Sequence, residues 1–156
     1  MIELATERDG EGILAVASRV DIFTEEEKDT VRELWEESCK WGVEASGYQF
    51  IVARDDDRVL GFACYGPRPL TDGTYDLYWI AVDPSARRQG VGVALLKGIQ
   101  AEVQKSGGRL IVIETSGQER YAPTRAFYLS AGCEREAVVR DFYGVGDDLI
   151  LFTMHL

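Results

Sequence analysis

Arginine and glycine gather in one short stretch of an otherwise acidic chain, Arg87-Arg88-Gln89-Gly90-Val91-Gly92. A run rich in aromatic and β-branched residues, Thr74 to Val82, precedes it, and Asp83-Pro84 stops that run. Val93, Leu95, Leu96, Ile99 and Val103 follow at helical spacing. At such a strand-to-helix turn the amides of residues 88–92 and of the first helical turn have no intrahelical acceptor. They point one way, and the helix dipole adds positive potential. The turn therefore suits a phosphate or pyrophosphate. Gly90 and Gly92 lack a Cβ, so an anion can approach the backbone closely, and Arg87 and Arg88 add charge. A dinucleotide fingerprint would need a third glycine, which is missing, and the lysine of a Walker loop would stand beside the glycine, whereas Lys97 lies well inside the helix. The plainer alternative is a tight turn with no ligand.

Other chemistries have less to build on. Cys39, Cys64 and Cys133 are far apart, no C-x-x-C occurs, and the single histidine, His155, is next to the C-terminus. Neither a structural metal site nor a Cys–His nucleophile pair is expected, and no metal is assigned. The 27 acidic residues outnumber the 17 basic ones, for a net charge of -10. That balance argues against a nucleic-acid partner, which needs phosphate neutralisation, and is compatible with attracting cationic partners such as amines. The 156 residues suggest one domain. No run approaches the roughly 20 apolar residues of a membrane span, and Met1 to Arg8 lacks the basic and apolar regions of a signal peptide. The expectation is a cytoplasmic protein with no membrane partner.

The elements that must position the turn are legible from pattern. Ile2 to Ala5 reads as a first strand, and Gly12 to Arg19 as a weak helix. Thr24-Glu25-Glu26-Glu27 is a capping-box start for a second helix with Val31, Leu34, Trp35 and Ser38 at helical spacing, ending near Lys40 before Gly42. Phe50 to Ala53 and Val59 to Tyr65 form a hairpin about Arg54-Asp55-Asp56-Asp57. After the strand Thr74 to Val82 and the helix to Gly107-Gly108 come a buried strand, Leu110 to Ile113, and a helix from Thr124 to Ala131 stopped by Gly132. Glu136 to Phe142 and Leu149 to Leu156 close the chain as two strands. The order βααβββαβαββ predicts an α/β domain with a mixed sheet and helices on both faces.

Two segments, taken together, resemble a known family. Val82-Asp83-Pro84-x-x-Arg87-Arg88-x-Gly90-x-Gly92-x-x-Leu95-Leu96 looks like motif A of the GCN5-related N-acetyltransferases (GNAT), and Pro123-Thr124-Arg125-Ala126-Phe127-Tyr128-Leu129-Ser130-Ala131-Gly132 resembles motif B. The match is close from Phe50 to Cys133; the first 45 residues agree in element order. Tyr121 stands where many members have Asn, and Cys133 replaces the usual Phe after Gly132.

The resemblance implies a GNAT-like acyl-CoA N-acyltransferase fold, with acetyl-CoA as cosubstrate in a V-shaped opening between Tyr75–Val82 and Leu110–Thr115. It implies that the backbone of Ile80, Ala81 and Val82 pairs with the pantetheine arm. Arg87, Arg88, Gln89, Gly90, Val91, Gly92 and Val93 would hold the pyrophosphate. Tyr128 would sit near the thioester sulfur as the acid, with Tyr121 and Thr124 lining the same side. For the base, Asp76 resembles the family's carboxylate in position, Glu114 is its rival, and ordered water is the third route. Strand alternation sends Asp76, Tyr78, Ile80 and Val82 to one face, barring a bulge. The loop Asp141-Phe142-Tyr143 with Gly146-Asp147-Asp148, and Val20 to Thr24, are candidates to border the acceptor pocket. The acceptor is expected to be a small-molecule or peptide amine. A second copy of the chain is a candidate partner through an open edge of the C-terminal strands. Two other readings are a non-catalytic CoA-binding module and a general nucleotide-phosphate binder.

Overall fold

A computed structural model describes Met1–Leu156. One seven-stranded sheet runs β1 (Ile2–Leu4), β2 (Gln49–Asp55), β3 (Arg58–Pro67), β4 (Thr74–Val82), β5 (Leu110–Ser116), β7 (Asp147–His155) and β6 (Glu134–Gly144) in spatial order. Only the β4–β5 pair is parallel; every other neighbour is antiparallel. Helices α1 (Gly10–Arg19) and α2 (Glu25–Ser46) share one core with the sheet, and α3 (Val91–Lys105) and α4 (Ala122–Ser130) share the other. The mixed α/β architecture and the order of elements are those expected.

Alternation along the strands divides the two cores. On β3, Phe62 and Cys64 pack with Ile13, Val16, Val31 and Trp35 of α1 and α2, while Ala63 and Tyr65 pack with Leu95, Leu96, Ile99 and Val103 of α3. The α2 capping box forms as written in the sequence: the Glu27 amide donates to Thr24 Oγ1 at 3.1 Å and the Thr24 amide donates to Glu27 Oε1. The regular helix does break at Gly42, at φ 76° and ψ 174°, but helical turns resume beyond it to Ser46. Helix α4 ends as its sequence demands. Gly132 sits at φ 91°, and the amides of Gly132 and Cys133 donate to the carbonyls of Leu129 and Tyr128. No helix is long and apolar enough to cross a membrane.

Candidate active site

The β4–β5 ladder ends early. It pairs Thr74 with Leu110 through Leu77 with Ile113, yet β4 continues to Val82 and β5 to Ser116. Beyond Leu77 the two strands part, and the gap opens into a cavity of about 1280 Å³. A parallel pair that separates leaves one edge of each strand without a ladder partner inside the sheet, so an extended ligand finds backbone donors and acceptors there. Ile80, Ala81 and Val82 line the β4 side of this opening.

A correction to strand alternation sets the faces. Opposite Cys64 and Tyr65, which pair with Trp79 and Leu77, Tyr78 is an extra residue on β4. The bulge inverts the strand's facing. Ile80 and Val82 pack toward α3 with Tyr75 and Leu77, whereas Trp79 and Ala81 pack toward α1 and α2. Asp76, one residue from both Tyr75 and Leu77, lies on the α1–α2 face, as does Tyr78, whose ring meets Tyr48 edge-on at 5.4 Å between centroids. Asp76 and Tyr78 therefore do not share a face with Ile80 and Val82.

Both carboxylates expected from the sequence meet one arginine that sequence reasoning missed. Arg68, just past β3, has Nε 2.9 Å from Asp76 Oδ2 and Nη2 3.7 Å from Glu114 Oε1. Asp76 is buried, and burial raises its pKa above the ordinary carboxylate value although Arg68 opposes the shift. Across the gap, Tyr128 on α4 is 5% exposed, packs against Phe127 and Phe152, and lines the cavity. Burial pushes its phenol well above the usual tyrosine range. Sequence spacing showed Arg68 only as part of Gly66-Pro67-Arg68-Pro69, a strand end; its partners are 8 and 46 residues away along the chain.

The turn before α3 has open donors. No amide from Arg88 to Val93 donates to a backbone carbonyl, and the first amide of the helix to do so is Ala94, to Gly90 at 3.0 Å. Arg88 (φ 63°) and Gly90 (φ 76°) are both left-handed, and a Cβ built on Gly90 would meet nothing within 4 Å. Gly92 is small for a different reason, since a Cβ there would lie 3.3 Å from the Phe127 ring. Arg87, Arg88 and Gly92 line the cavity with Thr124, while Gln89, Gly90, Val91 and Val93 stand outside its walls with amides that donate to no backbone carbonyl. These donors and the opened strand edge fit an extended ligand with a pyrophosphate at one end.

The other mouth is acidic and aromatic. Tyr121 lines it, but its hydroxyl is spent on Glu27, donating to either carboxylate oxygen at 3.2 Å. Arg120 approaches the same carboxylate at 3.9 Å. From the β6–β7 hairpin only Tyr143 and Asp147 reach the cavity; Asp141, Phe142 and Asp148 do not. Tyr143 is about half exposed, and the desolvation of its inner part, reinforced by Glu114 and Asp147, pushes its phenol up to about 12. Val20 to Phe23 complete this wall, with Phe23 edge-on to Trp79 at 5.2 Å.

Comparison with known proteins gives this geometry a family. The model of the acetyltransferase (GNAT) family matches residues 15–132. A crystal structure of a GNAT-family protein from Desulfovibrio desulfuricans superposes with a TM-score of 0.95 at 44% identity, covering 99% of this chain and 98% of that one. The [ribosomal protein bS18]-alanine N-acetyltransferase of Salmonella typhimurium is 29% identical over 112 residues, 70% of each chain. The aminoglycoside N(6')-acetyltransferase type 1 of Klebsiella aerogenes is 35% identical over 97 residues, 59% of this chain and 62% of that relative. With both motifs inside the matched span and an opened sheet between them, the chain belongs to the GNAT family and is an acetyl-CoA-dependent N-acetyltransferase.

Proposed function

We propose that the acetyl group passes by direct attack of an amine that enters from the α1–α2 face, while acetyl-CoA lies along the opened edge of β4 on the α3–α4 side. The single observation that carries this reading is the separation of β4 from β5 beyond Leu77, with Tyr128 on one side of the gap and Asp76, Glu114 and Arg68 on the other. Acetyl-CoA supplies the thioester as the activated acyl donor. The amides of Arg88 to Val93, with Arg87 and Arg88, hold its pyrophosphate, and the β4 backbone at Ile80 to Val82 receives the pantetheine arm.

A primary amine with a pKa near ~10 is mostly ammonium at neutral pH and must lose a proton before it attacks. Asp76 takes that proton, directly or through water. Its burial raises its basicity, while Arg68 opposes that rise and holds the carboxylate in place at 2.9 Å. Glu114, held by the same guanidinium, stands as the second carboxylate on the path. Tyr128 faces the departing sulfur; a phenol held well above its ordinary pKa is fully protonated at neutral pH and is ready to donate.

The acceptor is an amine on a small molecule or peptide. Asp21, Glu27, Asp76, Glu114 and Asp147 line the acceptor half against Arg68 and Arg120, a surplus of negative charge that favours a cationic acceptor. The named relatives act on a protein alanine and on an aminoglycoside, both amines. A cytoplasmic location, no nucleic-acid partner and a homodimer belong to the same reading, supported by the net charge of -10 and the free β6 edge.

Calorimetric titration with acetyl-CoA, CoA and ADP, followed by thiol release with a panel of mono- and polycationic amines, tests it. Tighter binding of acetyl-CoA than ADP and amine-dependent thiol release are expected. Equal binding of all three overturns the pantetheine channel, and binding without turnover for any amine makes the chain a CoA-binding module.

A further inference from the structure

The wall that faces the acceptor is joined to the fold at few points. Val20 to Phe23 all line the cavity, yet of their amides only those of Val20 and Phe23 donate to backbone carbonyls, at Ala17 and Val20. Val20 is buried in the core shared by α1 and α2, and the Phe23 ring meets Trp79, while Asp21 is exposed. A segment with so few backbone bonds keeps its place through the residues that flank it. After it comes the Thr24–Glu27 capping box of α2. Before it comes Arg19, the last residue of α1.

Arg19 holds one oxygen of a buried carboxylate whose other oxygen serves the coenzyme side. Its Nε donates to Asp83 Oδ2 at 2.7 Å, and its Nη2 donates to the same oxygen. Asp83 Oδ1 accepts from the Ser85 amide at 2.9 Å and from the Ser85 hydroxyl at 2.6 Å. Ser85 belongs to the short turn Pro84–Ala86, which leads directly into Arg87 and Arg88. The Asp83 side chain is 3% exposed, whereas that of Arg19 is half exposed. Arg58 does not duplicate the link, because its Nη2 lies 3.6 Å from Oδ1 and donates to the Ser85 hydroxyl, on the side of the turn. Asp83 Oδ2 therefore has Arg19 as its one partner, and Oδ1 keeps both of its Ser85 bonds when Arg19 is lost. A guanidinium fork on a buried oxygen fixes direction as well as distance, which a single ammonium does not.

We propose that Arg19 is a positioning residue for the acceptor: through Asp83 it fixes the Val20–Phe23 wall to the turn that holds the pyrophosphate, so that amine and thioester are presented in register. This rests on the reading that the amine enters from the α1–α2 face. Arg19 is not among the residues that line the cavity, so its effect on the reaction passes through the wall it precedes. Holding two reactants in one geometry is itself a large part of a bimolecular transfer, and a wall that drifts loses it. Removing the fork frees the wall and leaves the Ser85 turn bound to Oδ1, so the defect falls on the acceptor and spares the coenzyme.

Two measurements decide it: steady-state kinetics with the amine of the thiol-release panel that the wild type acetylates fastest, and hydrogen exchange of the CoA complex. Arg19→Gln is expected to raise the acceptor KM by about fivefold or more and to leave the acetyl-CoA KM within about twofold, and Arg19→Lys is expected to recover part of the loss. Adding Arg19→Gln to Asp83→Asn should raise the acceptor KM by less than about twofold beyond Asp83→Asn alone, because the two side chains act as one unit. In the CoA complex the amides of Val20 and Phe23 should exchange about tenfold faster in Arg19→Gln than in the wild type, with those of Phe50 to Val52 in β2 unchanged. A fold that is merely destabilised would raise both KM values and quicken exchange in β2 as well. An equal rise in both KM values overturns the proposal, as do fully additive effects of the two substitutions or unaltered exchange at Val20 and Phe23. A wild type that acetylates no amine overturns the reading of the site and this role with it, whereas normal turnover with any of the contrary results overturns this role alone.

Discussion

At Asp76, burial and the Arg68 guanidinium pull in opposite directions, and burial prevails. That balance gives two predictions about the rate against pH. If Asp76 receives the amine's proton, kcat/KM falls as pH drops through its raised pKa, and Asp76→Asn removes this limb and lowers kcat by about 10²-fold or more. Arg68→Gln takes away a group that holds the carboxyl down, so the limb must move to higher pH with Asp76 still present. A limb that stays in place after Arg68→Gln would mean the pair does not govern the step. At the sulfur, Tyr128→Phe should lower kcat while leaving the KM for acetyl-CoA within about twofold, because only an interaction made in the transition state is lost. Pre-steady-state thiol release is the direct readout.

The turn that opens α3 acts as an element rather than as a set of side chains. Its amides from Arg88 to Val93 face no carbonyl, and Gly90 is left-handed at φ 76°. Gly90→Val places a β-branched side chain in that conformation and disturbs the array of amides. The expected result is a rise of about tenfold or more in the KM for acetyl-CoA with the acceptor KM little changed. The start of α2 is the counterpart on the acceptor side. Glu27 caps its own helix through Thr24 and also receives the Tyr121 hydroxyl, so it joins α2 to the segment before α4 across 94 residues. Glu27→Gln keeps the shape and removes the charge. It should raise the KM of a cationic acceptor and leave acetyl-CoA binding unaltered, which product-inhibition kinetics can separate.

Over the whole molecule, Asp83 joins parts that bear on both halves of the site. It is 2% exposed at the end of β4, accepts from the Ser85 amide and hydroxyl, and receives Arg19 from the end of α1. The Ser85 hydroxyl bond leads the causes that hold its carboxyl down at about 2, against an ordinary 3.8. A depressed carboxyl contributes its full stability above the unfolded pKa and loses it as pH falls through the folded one. The window is therefore from pH 4 down to about 2. Asp83→Asn should cost about 2 kcal/mol at neutral pH and flatten the loss of stability on acidification, measured by urea unfolding at pH 7 and pH 3.

What the sequence determined by itself was whatever depends on near neighbours. The capping box at Thr24, the Schellman stop at Gly132, the strand-to-helix turn at Arg87–Gly92 and the order of elements all rest on contacts within a few residues, so spacing alone reveals them. The hairpin's contribution was half legible, since Tyr143 and Asp147 reach the cavity and their neighbours in the same loop do not. Tertiary structure decided the rest. A single extra residue at Tyr78 turned Asp76 away from the face of Ile80 and Val82, because alternation is a parity and one bulge inverts it. Arg68 entered the site only when β3, β4 and β5 were laid side by side, and Tyr121 found Glu27 only when α2 crossed the mouth. Residue types and short spacings encode local hydrogen bonding, whereas the facing of a carboxylate and the partner of a guanidinium are set by strand register between segments far apart in the chain.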